Sequence, residues 1–240
     1  MKGIVFLGER RTELREFPDP QPGPRDVILE IKASGMCGTD LKPYRETFVP
    51  GAVRGGIKRS MEPVIAGHEP CGVVVELGSA VSEREARIGQ RVMDHHYQGC
   101  GVCRHCMGGW RQMCVDGAVV FGSVAHGAHA PYMRVPVDTL VTLPDELSFE
   151  TGAAIACGTG TAFGALNRLS LHGDETIAIF GQGPVGLSAT QLAHAMGARV
   201  IALDISSERR GLAAEMGADI TLDPMVGDPV EMILEHTQGE

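Results

Sequence analysis

The rhythm of the apolar residues changes once along this chain of 240 residues, near position 150, and no single repeating architecture accommodates both rhythms. Before that point the apolar runs are short (4–7, 27–31, 71–77, 91–94 and 133–136) and are bounded by Gly, Pro and Asp. Short runs separated by turn residues predict an antiparallel, barrel-like β domain over residues 1–150. Beyond it, β-branched runs alternate with longer helical stretches: a strand at 176–180, a Gly-rich turn, a helix through Met196, a strand at 199–204, a helix from Ser207, a short strand at 220–222 and a helix at 229–236. That alternation predicts βαβ units and a parallel sheet over residues 151–240. The expected fold class is therefore α+β followed by α/β, in two domains.

Charge narrows the function. A net charge of -9, without a basic run interleaved with aromatics, argues against a nucleic-acid surface. No apolar stretch reaches bilayer length, and the first ten residues are too short and too soon charged for a secretory signal, so the expectation is a cytoplasmic protein with no membrane partner. Seven cysteines, an odd number, fit poorly with a framework of disulfides alone and direct attention to metal or thiol chemistry.

Cys100, Cys103, Cys106 and Cys114 stand at C-x2-C-x2-C-x7-C with glycines among them. Four thiolates in so short a loop can close a tetrahedron around zinc, a structural site that does no chemistry. Bacterial ferredoxins share much of this spacing but run C-x2-C-x3-C-P in small domains. The other cysteines are scattered. Cys37, Cys157 and the pair His68-Glu69 each read singly as ordinary structure, since free Cys is commonly buried. Together they supply two thiolates, an imidazole and a carboxylate, the donor set of a catalytic zinc with an open position.

These motifs, Gly35-Met36-Cys37-Gly38-Thr39-Asp40, Gly67-His68-Glu69, the four-Cys lobe and Gly181-Gln182-Gly183-Pro184-Val185-Gly186, make the chain similar to the zinc-dependent medium-chain alcohol dehydrogenase family. The resemblance implies a GroES-like catalytic domain followed by a doubly wound Rossmann domain. It implies Cys37, His68 and Cys157 as catalytic zinc ligands, Glu69 as a carboxylate able to approach the metal, and Asp40 as the partner orienting His68. It further implies hydride transfer between an alcohol, polyol or hydroxy amino acid and NAD, with zinc stabilising the alkoxide and Thr39 relaying the proton. Where relatives commonly carry an onward histidine this chain has Lys42, whose role stands open between a relay, a phosphate contact and a solvated side chain. Cys71 reads as a small core residue.

For the cofactor, Gly181, Gly183 and Gly186 follow a strand and open a helix, with Pro184 and Val185 between them and Asp204 ending the next strand. Asp204 favours NAD over NADP, while Arg209 and Arg210 nearby could accommodate a 2′-phosphate. His95, His96, His105, His126 and His129 are expected in surface or packing roles, His95 being the best exception. Pro131 before Tyr132 replaces the carboxylate common in polyol and threonine dehydrogenases. Arg54, Lys58 and Arg59, in the 45–62 segment between two ligand motifs, are open between substrate selection and a solvated loop, the latter being the expectation. Only the first half of a doubly wound domain is traceable, so the expectation is a chain cut short and poorly active alone, a homo-oligomer (dimer or tetramer) when complete. The alternative is a non-catalytic zinc-binding fragment or binding protein that retains the fold.

Overall fold

The computed structural model describes residues 1–54 and 57–239. Its contacts divide into two compact units, Met1–Cys157 and Gly158–Glu240. In the first, β1 (Lys2–Gly8) and β2 (Arg11–Glu16) form an antiparallel hairpin. Then come β3 (Asp26–Gly35), α1 (Leu41–Arg45), the two-residue strands β4 (Val53–Arg54) and β5 (Ile57–Lys58), β6 (Glu69–Leu77) and β7 (Arg91–Asp94). After these follow β8 (Tyr97–Gln98), α2 (Arg104–Met107), β9 (Val119–Val120), β10 (Tyr132–Pro136), β11 (Leu140–Thr142) and α3 (Phe149–Ala154).

A five-stranded antiparallel sheet in the order β10-β3-β6-β7-β11 organises this unit. Val27, Ile28 and Leu29 are all buried in β3, against the usual alternation, because a register shift between Ile28 and Leu29 turns the strand. Val27, Leu29, Val74, Val92, Met133 and Val135 form its main core. The register matters for the site. Gly35, the last residue of β3, pairs with Glu69, the first of β6, so the segments that follow β3 and precede β6 leave the same end of the sheet. Helix α3 packs onto β3, β6 and β7, where Ala153 joins Cys71, Met93 and Leu143 in a second core. Ser148 caps α3 by accepting from the Thr151 N–H at 3.1 Å.

Asp94 is 1% exposed at the end of β7, and burial lifts its carboxyl well above the ordinary range. The hydrogen bonds agree with a protonated group. The Thr139 hydroxyl lies against both Asp94 Oδ1 and the Pro136 carbonyl, the latter at 2.7 Å, and it has one hydrogen to give. A protonated Asp94 donates to Thr139, which then donates to Pro136. A carboxyl that keeps its proton when folded and loses it when unfolded makes stability fall as pH rises above the unfolded value. The slope is up to about 1.4 kcal/mol per pH unit for one proton. Asp94→Asn should flatten that fall, and melting temperatures measured across the pH range check it. A variant whose decline between acid and neutral pH matches the parent's would refute the protonated assignment.

The second unit contains α4 (Gly160–Leu169), β12 (Thr176–Phe180), α5 (Pro184–Ala195), β13 (Arg199–Leu203), α6 (Ser207–Glu215), β14 (Ile220–Leu222) and α7 (Pro229–Thr237). Its strands are parallel, in the order β12-β13-β14. The central strand β13 is buried from Val200 to Leu203, as expected for a strand covered on both faces. Val200 packs with Leu166, Ile179 and Ala193, and Ile201 and Leu203 pack with Leu222. Each strand and helix anticipated after residue 170 is present within about two residues. Helices α3 and α4 are not anticipated, because Gly152, Gly158, Gly160 and Gly164 dilute the helical pattern there.

Candidate functional site

One donor cluster lies where the register of β3 and β6 brings their ends together. Cys37 follows β3, His68 and Glu69 open β6, and Cys157 sits in a π-helical turn, Ile155–Thr159, that continues α3. Turns of this type are frequent at functional sites, because the extra residue re-aims a side chain. A sulfur, nitrogen or oxygen atom from each of Cys37, His68, Glu69 and Cys157 lies within 4.8 Å of the others. Cys37 Sγ is 3.0 Å from His68 Nε2 and accepts from the Thr39 N–H at 3.2 Å. His68 Nδ1 meets Asp40 Oδ1 at 3.0 Å, and the Cys37 N–H donates to Asp40 Oδ2 at 2.9 Å. Asp40 thus fixes both the imidazole and the backbone at Cys37.

The electrostatics are those of a cation site. Burial works against a charged His68, yet its bonds to Asp40 and Cys157 and the charge of Asp40 outweigh burial and raise it to about 11. Asp40, whose burial also opposes ionisation, is held below the usual carboxylate range by His68 and the Cys37 N–H. Positive charge at Nε2 is therefore favoured by the surrounding sulfurs and carboxylates. Two thiolates and an imidazole oriented by a carboxylate fit zinc in chemistry and number. Burial raises Glu69, the fourth member.

Against this cluster packs a residue assigned from the sequence to surface or packing. His96 is 6% exposed, its ring centroid 5.1 Å from that of His68 and 4.3 Å from that of Tyr97. Burial, with the neighbouring charges of His68 and His95, pushes it down to about 3, so the imidazole is neutral. Its bond to the Ala156 carbonyl uses Nε2, leaving Nδ1 buried without a partner among the described residues. His95, the exception anticipated, lies one ring farther out, 5.9 Å from His96. A pair His-His before Tyr97 was the available signal, and periodicity could not say which ring turns inward.

The second cluster joins Cys100, Cys103, Cys106 and Cys114, whose sulfurs all lie within 4.8 Å of one another. Cys100 and Cys106 Sγ are 4.0 Å apart, close to the edge of about 3.8 Å that a tetrahedron with Zn–S bonds of about 2.3 Å requires. Backbone N–H groups of Cys100, Cys103 and Cys106 point at sulfur. The N–H of Cys106 is the leading cause that lowers Cys103 to about 6. A Cβ on Gly99 would lie 2.4 Å from Cys106 Sγ, so the loop closes only with glycine there. Arg111 ties the lobe to Asp138 at 2.8 Å.

In the second unit β12 ends in the turn Gly181 to Gly186. Gly181 adopts φ +86, and a Cβ on Gly186 would stand 1.8 Å from the Gly181 carbonyl oxygen. Gly183 has open space on its Cβ side and begins α5 as an N-cap without a side chain, with Pro184 as first helical residue and Val185 exposed. The helix N-terminus is thus open to an anion. Gln182 is fully buried, donating to the Ile179 carbonyl and accepting from Thr190. Its N–H donates to Asp204 Oδ2 at 2.6 Å, and the Ser206 N–H to Oδ1 at 2.8 Å. These bonds hold the Asp204 carboxyl below the usual range.

Residues 23–145 match the family model described as alcohol dehydrogenase GroES-like domain, and residues 184–240 that of the zinc-binding dehydrogenases. The chain belongs to the zinc-type alcohol dehydrogenase family. This zinc-type dehydrogenase chain is 37% identical over 220 residues to an uncharacterized zinc-type alcohol dehydrogenase-like protein of Escherichia coli (strain K12), covering 90% of the chain and 61% of that relative. It is 34% identical over 237 residues to an alcohol dehydrogenase of Geobacillus stearothermophilus, covering 98% of the chain and 67% of the relative. Among solved structures, alcohol dehydrogenase TADH of Thermus sp. ATN1 superposes with a TM-score of 0.85 at 30% identity, covering 100% of this chain and 68% of that one. A zinc-binding dehydrogenase of Sinorhizobium meliloti 1021 bound to NADP has a TM-score of 0.81 at 32% identity, with 96% and 64% covered. The chain thus spans 61% to 67% of the length of these curated relatives.

Within the zinc-type dehydrogenase unit, Thr39 and Lys42 are exposed, on the turn after Cys37 and on α1. Cys71 is fully buried under α3, and burial raises its thiol to about 11, an inert core residue. In the 45–62 segment the Arg54 side chain lies outside the described residues, while Arg59 stacks on Phe48 at 4.4 Å. Among the described residues no helix is long and apolar enough to cross a membrane.

Proposed function

We propose that this chain carries the metal and nucleotide sites of a reversible alcohol dehydrogenase, acting on a small alcohol, polyol or hydroxy amino acid. The observation that carries the reading is the convergence of Cys37, His68 and Cys157 with Asp40 behind His68. In this reading Cys37, His68 and Cys157 hold one zinc, with Glu69 able to approach it, and Cys100, Cys103, Cys106 and Cys114 hold a second. Zinc supplies Lewis acidity and the nicotinamide a hydride acceptor.

The protein's own groups do the rest. Asp40 keeps the proton on His68 Nδ1, so that Nε2 presents its lone pair to the metal. The Thr39 N–H donates to Cys37 Sγ, and in this reading the Thr39 hydroxyl, two residues from that sulfur, accepts and passes on the alcohol proton. Lys42, exposed on α1, stands at the solvent end of that path. Neutral His96 and Tyr97 wall the ligand His68 from water. Gly183 and the start of α5 receive the pyrophosphate and Asp204 the adenosine ribose, which supports NAD as cofactor. In the same proposal the complete protein is a homo-oligomer.

Assaying the complete protein with a panel of alcohols, polyols, hydroxy amino acids and aldehydes, following reduced-cofactor absorbance, tests this. Turnover with at least one class, lost on chelation of zinc, is the expected result. Binding without turnover across the panel would favour a non-catalytic protein that retains the fold.

A further inference from the structure

Asp40 and the Thr39 N–H steady two of the three candidate ligands of the first cluster, His68 and Cys37. The third, Cys157, stands in the π-helical turn Ile155–Thr159. Such a turn carries one residue more than an α-helical turn, and its carbonyls fall out of step with the N–H groups four residues on. A carbonyl freed in this way takes a side-chain donor. The residue just before Cys157 has one, because His96 donates from Nε2 to the Ala156 carbonyl.

His96 reaches the turn from a fixed place. It lies between β7 and β8, where the Phe121 N–H donates to its carbonyl at 3.1 Å and the preceding His95 N–H donates to the Thr139 carbonyl at 2.9 Å. Its buried ring meets the His68 ring at 5.1 Å and 67° and the Tyr97 ring at 4.3 Å. The same side chain therefore packs on one candidate ligand and holds the backbone beside another. Packing alone does not account for a histidine here. Buried ring nitrogens need partners, and Nδ1 has none among the described residues. A phenyl ring would fill the space without that cost, so the N–H on Ala156 is what distinguishes histidine.

We propose that His96 is a positioning residue that preassembles the first cluster, its ring against His68 and its Nε2–H on the Ala156 carbonyl aiming the Cys157 thiolate at the point shared with Cys37 and His68. The proposal rests on the reading of that cluster as a zinc site.

Zinc affinity of the purified 240-residue chain, measured by chelator competition, tests it in the parent, His96→Phe, His96→Leu and His96→Gln. Each is also loaded with cobalt(II), whose spectrum reports the sulfur ligands. Phe keeps a ring, Gln keeps an N–H donor at the reach of Nε2, and Leu keeps neither. Affinity at the first cluster should fall by about tenfold or more with Phe and Leu and by less than about threefold with Gln. Thiolate-to-cobalt absorption should fall in Phe and Leu and persist in Gln. The Cys100–Cys114 lobe keeps its own equivalent throughout and, with circular dichroism, shows that each variant has folded; where Phe does not fold, Gln against Leu decides. In a Cys157→Ser background, His96→Phe should cost less than about threefold further, because His96 acts through that thiolate. Phe at parental affinity, Gln no better than Leu, or an equal loss with and without Cys157 overturns the proposal and leaves the zinc reading standing. A parent that holds metal at the four-Cys lobe alone overturns both.

Discussion

Replacing Cys37 by Ser removes about one of two zinc equivalents per chain and, in the complete protein, lowers alcohol oxidation by about a thousandfold or more. Serine keeps the size of the side chain but is not a thiolate at neutral pH, so the pull that favours a cation beside His68 Nε2 is lost from one side. The other donors stay in place, since Asp40 bonds the backbone N–H of residue 37 and not its side chain. The four-Cys lobe shares no ligand with this cluster and keeps its metal. Elemental analysis of dialysed protein checks the expectation, with Cys106→Ser as the reciprocal control that loses the other equivalent. Full retention of both equivalents by Cys37→Ser would remove Cys37 from the ligand set.

The second large effect belongs to the nucleotide turn. Gly186→Ala places a methyl group 1.8 Å from the Gly181 carbonyl oxygen, a backbone atom that cannot step aside without reshaping the turn. Gly181 is itself committed to φ +86, and Gln182, whose N–H holds Asp204, lies between them. A clash of this kind costs about 3 kcal/mol or more, and NAD⁺ affinity should fall by about a hundredfold. Zinc content should not change, because all eight candidate ligands belong to Met1–Cys157. Isothermal titration and metal analysis of one preparation separate these outcomes. Undiminished NAD⁺ affinity in this variant would show that the turn does not cradle the pyrophosphate.

Much of the candidate site was legible because its chemistry is written in short spacings. The four cysteines at 100–114 are close in sequence and can meet only in a tight lobe, and the run from Gly181 to Gly186 with Asp204 beyond it maps onto one strand, turn, helix and strand. Strands β12 and β13 stood out for the same reason, as apolar runs punctuated by turn residues. Helices α3 and α4 did not, since Gly152, packed against Cys71 and Leu143, and the glycines of the π-helical turn and α4 depress the helical signal. The orientation of His96 and the protonation of Asp94 had no sequence signature, because both follow from which side chains surround them.

The sequence by itself determined the two rhythms, the donor types and the order of the motifs, since these depend on local spacing and residue chemistry. Cys37, His68 and Cys157 are separated by 31 and 89 residues, and their meeting was decided by tertiary structure. The pairing of Gly35 with Glu69 joins the first two, and the packing of α3 on β3, β6 and β7 brings the third. The same holds for Asp204 and Arg209. The sequence names an acid and a base five residues apart, but only the helical turn of α6 lays the guanidinium over a carboxylate already held by two backbone N–H groups. Charge complementarity acts over a few ångströms, and distances on that scale are set by the fold, not by position along the chain.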